Sequence, residues 1–459
     1  MKQGYSKTES VTIVGAGFTG LSIAYELAKL GVRVTVLEAE NEVGGLASSF
    51  NVNGTQLEKF YHIWFTNDSE LMRLIDELGL TDGVTVNRTR ASIYYANNFF
   101  KLSSPWDLLN FRALSFVDRL RLGRLMWRAR GIDRWEQLDD QTAHEWLRDL
   151  GGDSVYRVVW QPLLRGKFGE YAEEVSAAWF WNKLKLRSKS RGAGGDERFA
   201  YLKGGFARLA DALVDKIREL GGRVEVNAPV SEVVPEGRKW RTVIPHEIVM
   251  SDKVVATPAL PVIAKMVSGW ADRKYINSLE RIRYLGNVCL VMELDRSLTN
   301  CYWLSVNDPS FPFVALIEHT NLQSAATYGG KHIVYLSKYM PPGDPLFESS
   351  AEQFRDYAFP HLQRMFPEMR REWIHRCHMW KSSWSQPIVE RSYRKLVPGE
   401  DGPVEGLHVC SMAQIYPEDR GTNYAIRAGR RLAHRIALSM QERSRSVSSS
   451  SPNALANSP

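Results

Sequence analysis

The chain has only four cysteines in 459 residues, Cys289, Cys301, Cys377 and Cys410, too scattered for a disulfide framework or a thiolate metal site. They read as reduced. The tract His375-Arg376-Cys377-His378 has nothing elsewhere in the chain to complete a tetrahedral ligand set, so no metal is expected. No apolar run approaches the roughly 20 residues that span a bilayer, and the polar stretch after Met1 lacks the apolar core of a secretory signal. Cytoplasmic residence is the expectation from these absences. A Ser-His-Asp order, a paired-carboxylate signature and a Walker-type phosphate loop are missing too, which leaves hydrolase and nucleoside-triphosphatase chemistry without support.

What is present is ordinary for a globular protein, 44% hydrophobic and 24% charged residues, at a length that favours two domains. The formal charge of +7 suits anionic partners: a dinucleotide, a phosphorylated substrate or an acidic membrane surface. No motif points to nucleic acid. The informative segment opens with Val11 to Val14, a short apolar run with the character of a buried strand. Gly15, Ala16, Gly17, Phe18, Thr19 and Gly20 follow, then a helical pattern through Leu21, Ala24, Leu27 and Ala28, then a second strand, Val32 to Leu37, ending in Glu38. Gly15 permits the tight turn, Gly17 admits a pyrophosphate to the backbone, and Gly20 allows close helix–strand packing. The helix start directs free amides at the phosphates, and Glu38 is placed to accept hydrogen bonds from a ribose. Dinucleotide binding follows.

Downstream of Glu38 and Ala39 stands the pair Gly44-Gly45, then Leu46. This pair resembles the second nucleotide motif of the FAD-dependent amine oxidase, protoporphyrinogen oxidase and phytoene desaturase superfamily. The resemblance implies FAD as cofactor, although the superfamily's usual arginine is here Leu46. Residues 201–206 and 223–230 resemble the superfamily's return to the FAD domain, where the residue matching Val230 meets adenine through its backbone. The approach to the last helix, Asp419-Arg420-Gly421-Thr422-Asn423, matches the place where that helix points at the flavin, with Thr422 as its N-cap and Asn423 beside the cofactor. The acidic residue that usually follows the last strand is replaced by Ser411-Met412. Gly192 to Gly195 follows a basic polar stretch rather than a strand, so no second dinucleotide unit is expected. The substrate itself, or an external carrier, then supplies the electrons, which leave to an acceptor such as oxygen or a quinone.

The implied fold is α/β. A Rossmann-like FAD-binding domain of the glutathione-reductase type is assembled from residues 1–100, 201–260 and 401–440. A helical lid at 101–200 and a mixed-sheet substrate domain at 261–400 are inserted, and residues 441–459 form a tail read as disordered on composition. Tyr61 and His62 fall on a segment that resembles the flavin-touching stretch of UDP-galactopyranose mutases, which makes His62 a catalytic candidate and Tyr61 a substrate contact. Glu318 and His319, at the end of an apolar strand, are further acid/base candidates, with Asn321 as a substrate contact. Arg165 and Lys167, in a stretch 161–169 expected to interrupt the helices, are candidates for an anionic substrate, and Arg420 is a further candidate substrate contact. Arginines alternate with apolar residues from Pro105 and Trp106 through Leu108, Leu109, Phe111, Arg112 and on to Arg128, a pattern that suits a packing lid or contact with a membrane through 104–130. The expected activity is hydride transfer from a small organic substrate to flavin N5. The rivals are a non-redox sugar-nucleotide mutase and a flavin-binding partner protein without catalysis.

Overall fold

The first strand, Ser10–Val14, is buried at every position, and Lys253–Ala256 likewise, as a sheet covered on both faces requires. These two form the middle of a five-stranded, all-parallel sheet in the order Arg223–Glu225, Arg33–Leu37, Ser10–Val14, Lys253–Ala256, Leu407–Val409. The computed structural model describes residues 9–100, 113–190, 197–308 and 310–449. Helix Phe18–Lys29 packs against the sheet together with Gly205–Glu219, whose Leu209, Leu213 and Ile217 fall on one helical face. The last helix, Thr422–Ser449, crosses the first closely, since a Cβ on Gly429 would lie 2.7 Å from the Thr19 carbonyl oxygen.

A second, seven-stranded sheet has the order Ile374–Pro387, Tyr284–Leu294, His332–Met340, Ala315–Glu318, Trp303–Val306, Ala91–Tyr95, Asn98–Phe100. All its pairings are antiparallel except that of Trp303–Val306 with Ala91–Tyr95. The eleven residues of Tyr284–Leu294 are all buried, so this sheet is covered on both faces as well. Residues 91–100 thus leave the nucleotide-binding unit for the second sheet, which moves the expected boundary at 100 back by about ten residues.

Inserted in the chain between strands Asn98–Phe100 and Glu197–Leu202 are the helices Phe116–Arg130, Ala143–Val155, Gln161–Phe168 and Ala177–Ser190. Gln161–Phe168 is itself helical, a correction to the expected interruption. Pro162 stands in its first turn, where the missing amide hydrogen costs nothing. The last helix runs on to Ser449, past Met440, where the apolar face ends. Good helix formers at Gln441, Glu442 and Arg443 prolong it. The expected lid residues Pro105, Trp106, Leu108, Leu109, Phe111 and Arg112, and the glycines 192–195, lie outside the described residues.

Candidate active site

The two glycine motifs, 29 residues apart, meet. The Gly44 amide donates to the Ala16 carbonyl at 2.9 Å, and a Cβ on Gly45 would lie 3.2 Å from Gly17 Cα. The pair is therefore demanded first by the protein's own backbone contact; Gly44 (φ +110°) also needs the left-handed region. Gly20 is the tightest position, because its Cβ would stand 2.0 Å from the Gly15 oxygen. Gly17 differs: a Cβ there meets nothing nearer than 3.9 Å, so its open side faces the space a phosphate would take. The helix that starts at Phe18 has no side-chain cap, which leaves its first amides, those of Phe18, Thr19 and Gly20, for an anion. The Phe18 ring itself is buried edge-on against Phe206, so only its backbone is offered.

Glu38 is buried at the end of the second strand, where its carboxylate accepts from the amides of Ala16 at 2.6 Å and Glu40 at 3.0 Å. Burial raises its pKa, against those two bonds, which favour the anion. A ribose hydroxyl donating to it would favour the ionised form further. Ala39 is exposed beside it, and Val230 is half-buried after the strand that flanks Glu38. Unpartnered helix amides, an uncovered glycine face and a carboxylate at ribose distance along the sheet are the donor and acceptor set of a dinucleotide. The residues present fit FAD.

The flavin end opens into a cavity of about 410 Å³. Leu46, Tyr61 and His62 line one side and Arg420, Gly421 and Thr422 another; Trp160, Phe168 and Phe180 supply aromatic wall. His62 Nδ1 lies 2.6 Å from the Phe60 carbonyl oxygen, which places the proton on Nδ1 and leaves Nε2 as an acceptor. Burial pushes its pKa down to about 4, with the Arg420 charge acting in the same direction, so the ring is neutral at physiological pH. Tyr61 packs edge-on to Trp303, and burial holds its hydroxyl well above the ordinary range. Its segment is anchored by Glu58, a buried carboxylate that accepts from Tyr201 Oη at 2.8 Å and the Phe206 amide at 2.9 Å.

Several expected residues stand elsewhere. Glu318 and His319 are buried away from the cavity, which corrects their catalytic assignment. Glu318 accepts from the amides of Leu298 at 3.1 Å and Thr299 at 2.8 Å, and burial lifts its pKa to about 7. His319 Nε2 is 2.8 Å from Tyr328 Oη, and burial lowers the ring's pKa to about 3. Asn321 does not line the cavity either, and its amide donates to the carbonyls of Thr299 and Cys301. Arg165 is exposed and pairs with Glu173 at 3.7 Å, outside the cavity. Gly421, not Thr422, caps the last helix: its carbonyl accepts from Tyr424 and Ala425, and Thr422 is the first helical residue. The Asn423 side chain accepts from the amides of Glu70 and Leu71, capping helix Ser69–Glu77, which leaves its backbone alone on offer to a cofactor.

Lys167 does line the cavity, 3.1 Å from Asp419 Oδ2. Sequence reasoning passed over its companions Lys183 and Trp179. Lys183 also pairs with Asp419, and Trp179 Nε1 donates to it at 3.3 Å. The spacing of Trp179 and Lys183, one helical turn, was the available signal. Burial alone would raise the Asp419 pKa. The charges of Lys167, Lys183 and Arg420 reverse that and hold it well below the carboxylate range. Arg420 donates to Gln386 and to Tyr339 Oη, each at 3.1 Å.

Nucleotide turns that meet at the C-terminal end of the parallel sheet's middle strand, beside a half-open cavity, place the chain among FAD-dependent oxidoreductases. More particularly, it belongs to the flavin-containing amine oxidoreductase family, whose model matches residues 18–437. The 15-cis-phytoene desaturase of Narcissus pseudonarcissus is 26% identical over 431 residues, 87% of this chain and 74% of that one. The coproporphyrinogen III oxidase of Staphylococcus aureus is 23% identical over 55% of this chain, and the match spans only 61% of that relative. Among solved structures, an oxidoreductase from Methanosarcina mazei superposes with a TM-score of 0.72 at 18% identity, covering 93% of this chain and all of that one. A reduced UDP-galactopyranose mutase gives 0.67 at 15% identity, over 85% and 86%. These two likenesses concern the fold. Among the described residues no helix is long and apolar enough to cross a membrane.

Proposed function

We propose that the protein oxidises a small organic substrate held in the cavity beside Leu46, His62 and Gly421. Bound FAD supplies a two-electron acceptor at N5, and an external oxidant such as oxygen or a quinone takes the electrons on. The chain's residues contribute binding, orientation and exclusion of water. Trp160, Phe168 and Phe180 form the dry wall of a lid, and the last helix aims its amides and positive dipole end at the flavin side. His62 offers Nε2 as a hydrogen-bond acceptor, so it orients a substrate N–H or O–H rather than donating a proton. The observation that carries this reading is the continuity of the cavity from the glycine-pair side to the start of the last helix. The test is stoichiometric: substrate loss must match hydrogen peroxide formed or quinone reduced, one for one. The mutase reading, favoured by the cationic residues in the cavity, requires conversion with neither.

The same reading includes peripheral contact with an anionic bilayer through helix Phe116–Arg130. Its outward face carries Phe116, Val117, Leu120 and Trp127, the last 74% exposed, among Arg121, Arg124, Arg128 and Arg130. The helix's one acid, Asp118, is buried and paired with Arg121. Apolar side chains with arginines and no accessible acid suit a lipid headgroup region.

A further inference from the structure

The charge in the cavity is one-sided. Among the described residues, Lys167, Lys183 and Arg420 line it, and Asp419 is the single carboxylate that does. Three cations against one anion leave a formal excess of +2, since His62 is neutral. Asp419 is already shared between the two lysines and Trp179 Nε1, so it offers little to an incoming cation. An ammonium group would enter against this field, and a carboxylate or phosphate would be drawn by it. The rest of the lining is apolar or neutral.

We propose that the substrate is an amphipathic organic anion, its carboxylate or phosphate held at the Lys167–Lys183–Arg420 end of the cavity and its apolar body against Trp160 and Phe180. The family's general description as amine oxidoreductases does not lead to this; the charge of this cavity does. The inference rests on the cavity's being the substrate site, as proposed above, and it holds for redox and non-redox turnover alike.

The probes are benzoate, phenyl phosphate and benzylamine, which share an aromatic body and differ in charge. Binding to the FAD-loaded protein is followed by calorimetry and by the flavin difference spectrum. At least one of the two anions is expected to bind about tenfold or more tightly than benzylamine, with affinity falling as salt is raised. The tighter of the two tells carboxylate from phosphate. Lys183→Met should weaken the anion about tenfold, Lys183→Arg should restore it to within about threefold, and Asp419→Asn, which removes the competing carboxylate, should tighten it. Flavin content and melting temperature of each variant separate these effects from misfolding. Anions that bind no more tightly than benzylamine, or affinities indifferent to both Lys183→Met and Asp419→Asn, overturn the proposal. Failure of the oxidation stoichiometry with anion binding intact would sink the redox reading alone.

Discussion

Gly20 and Glu318 show how differently two buried positions answer to substitution. At Gly20 the obstacle is backbone: a Cβ 2.0 Å from the Gly15 oxygen cannot be relieved by a side-chain rotation. Gly20→Ala should therefore purify with little or no FAD, measured as the flavin-to-protein absorbance ratio, whereas Gly269→Ala, with open space around it, should keep its cofactor. At Glu318 the cost is electrostatic. Its pKa rises on folding from 4.5 to about 7, so its contribution to stability is full below the lower value and is lost as pH climbs through the upper one. Glu318→Gln should then be more stable than the parent at pH 8 by about 1–3 kcal/mol and show no such gain near pH 4. Denaturant melts at the two pH values decide it, and an equal effect at both would remove the electrostatic explanation. His62 gives a third expectation. With its pKa pushed down to about 4, turnover should show no limb near pH 6.5 that disappears in His62→Gln.

At the scale of elements, the last helix is held by a buried cation. Arg430, 6% exposed, reaches Glu70 at 3.4 Å and Glu77 at 2.9 Å on helix Ser69–Glu77, and Glu26 at 3.3 Å on the first helix. Arg430→Met leaves Glu26 and Glu77 only Lys29 and Arg73 as partners and should cost about 1–3 kcal/mol in chemical denaturation. Asn423→Ala, which uncaps helix Ser69–Glu77, should cost about 1 kcal/mol by the same measurement. The helix Phe116–Arg130 makes a separate prediction. The protein should sediment with phosphatidylglycerol vesicles and not with phosphatidylcholine ones, and Trp127→Ser together with Arg124→Ser should release it. Equal sedimentation with both lipids would remove the charge argument.

At the scale of the molecule, the nucleotide end was legible from sequence because its parts are local: a strand, a turn, a helix and an acid lie within 29 residues, Ser10 to Glu38. Each needs its residue type for a reason that acts over one or two turns. The cavity is not local. It is assembled from residues near 46–63, 160–184, 287–315, 339, 385 and 419–422, which only the packed sheets bring together. Glu318, His319 and Asn321 stand at the end of a strand that was correctly read, yet a strand end alone does not tell which neighbour will take its polar groups. Here the loop at 298–301 takes Glu318 and Asn321, and Tyr328 takes His319. Lys183 was missed for the opposite reason, since a lysine on a helix ordinarily points to water, whereas here it pairs with Asp419, more than 200 residues on.

The measurement that bears most directly on the redox function is anaerobic titration of the FAD-loaded protein with a panel of organic compounds, amphipathic anions among them, followed by flavin absorbance. One compound class should bleach the oxidised flavin with an equal amount of oxidised product, and oxygen or a quinone should restore the colour. Oxidised flavin that persists across the panel, with product formed only by dithionite-reduced protein and without net oxidation, would contradict it.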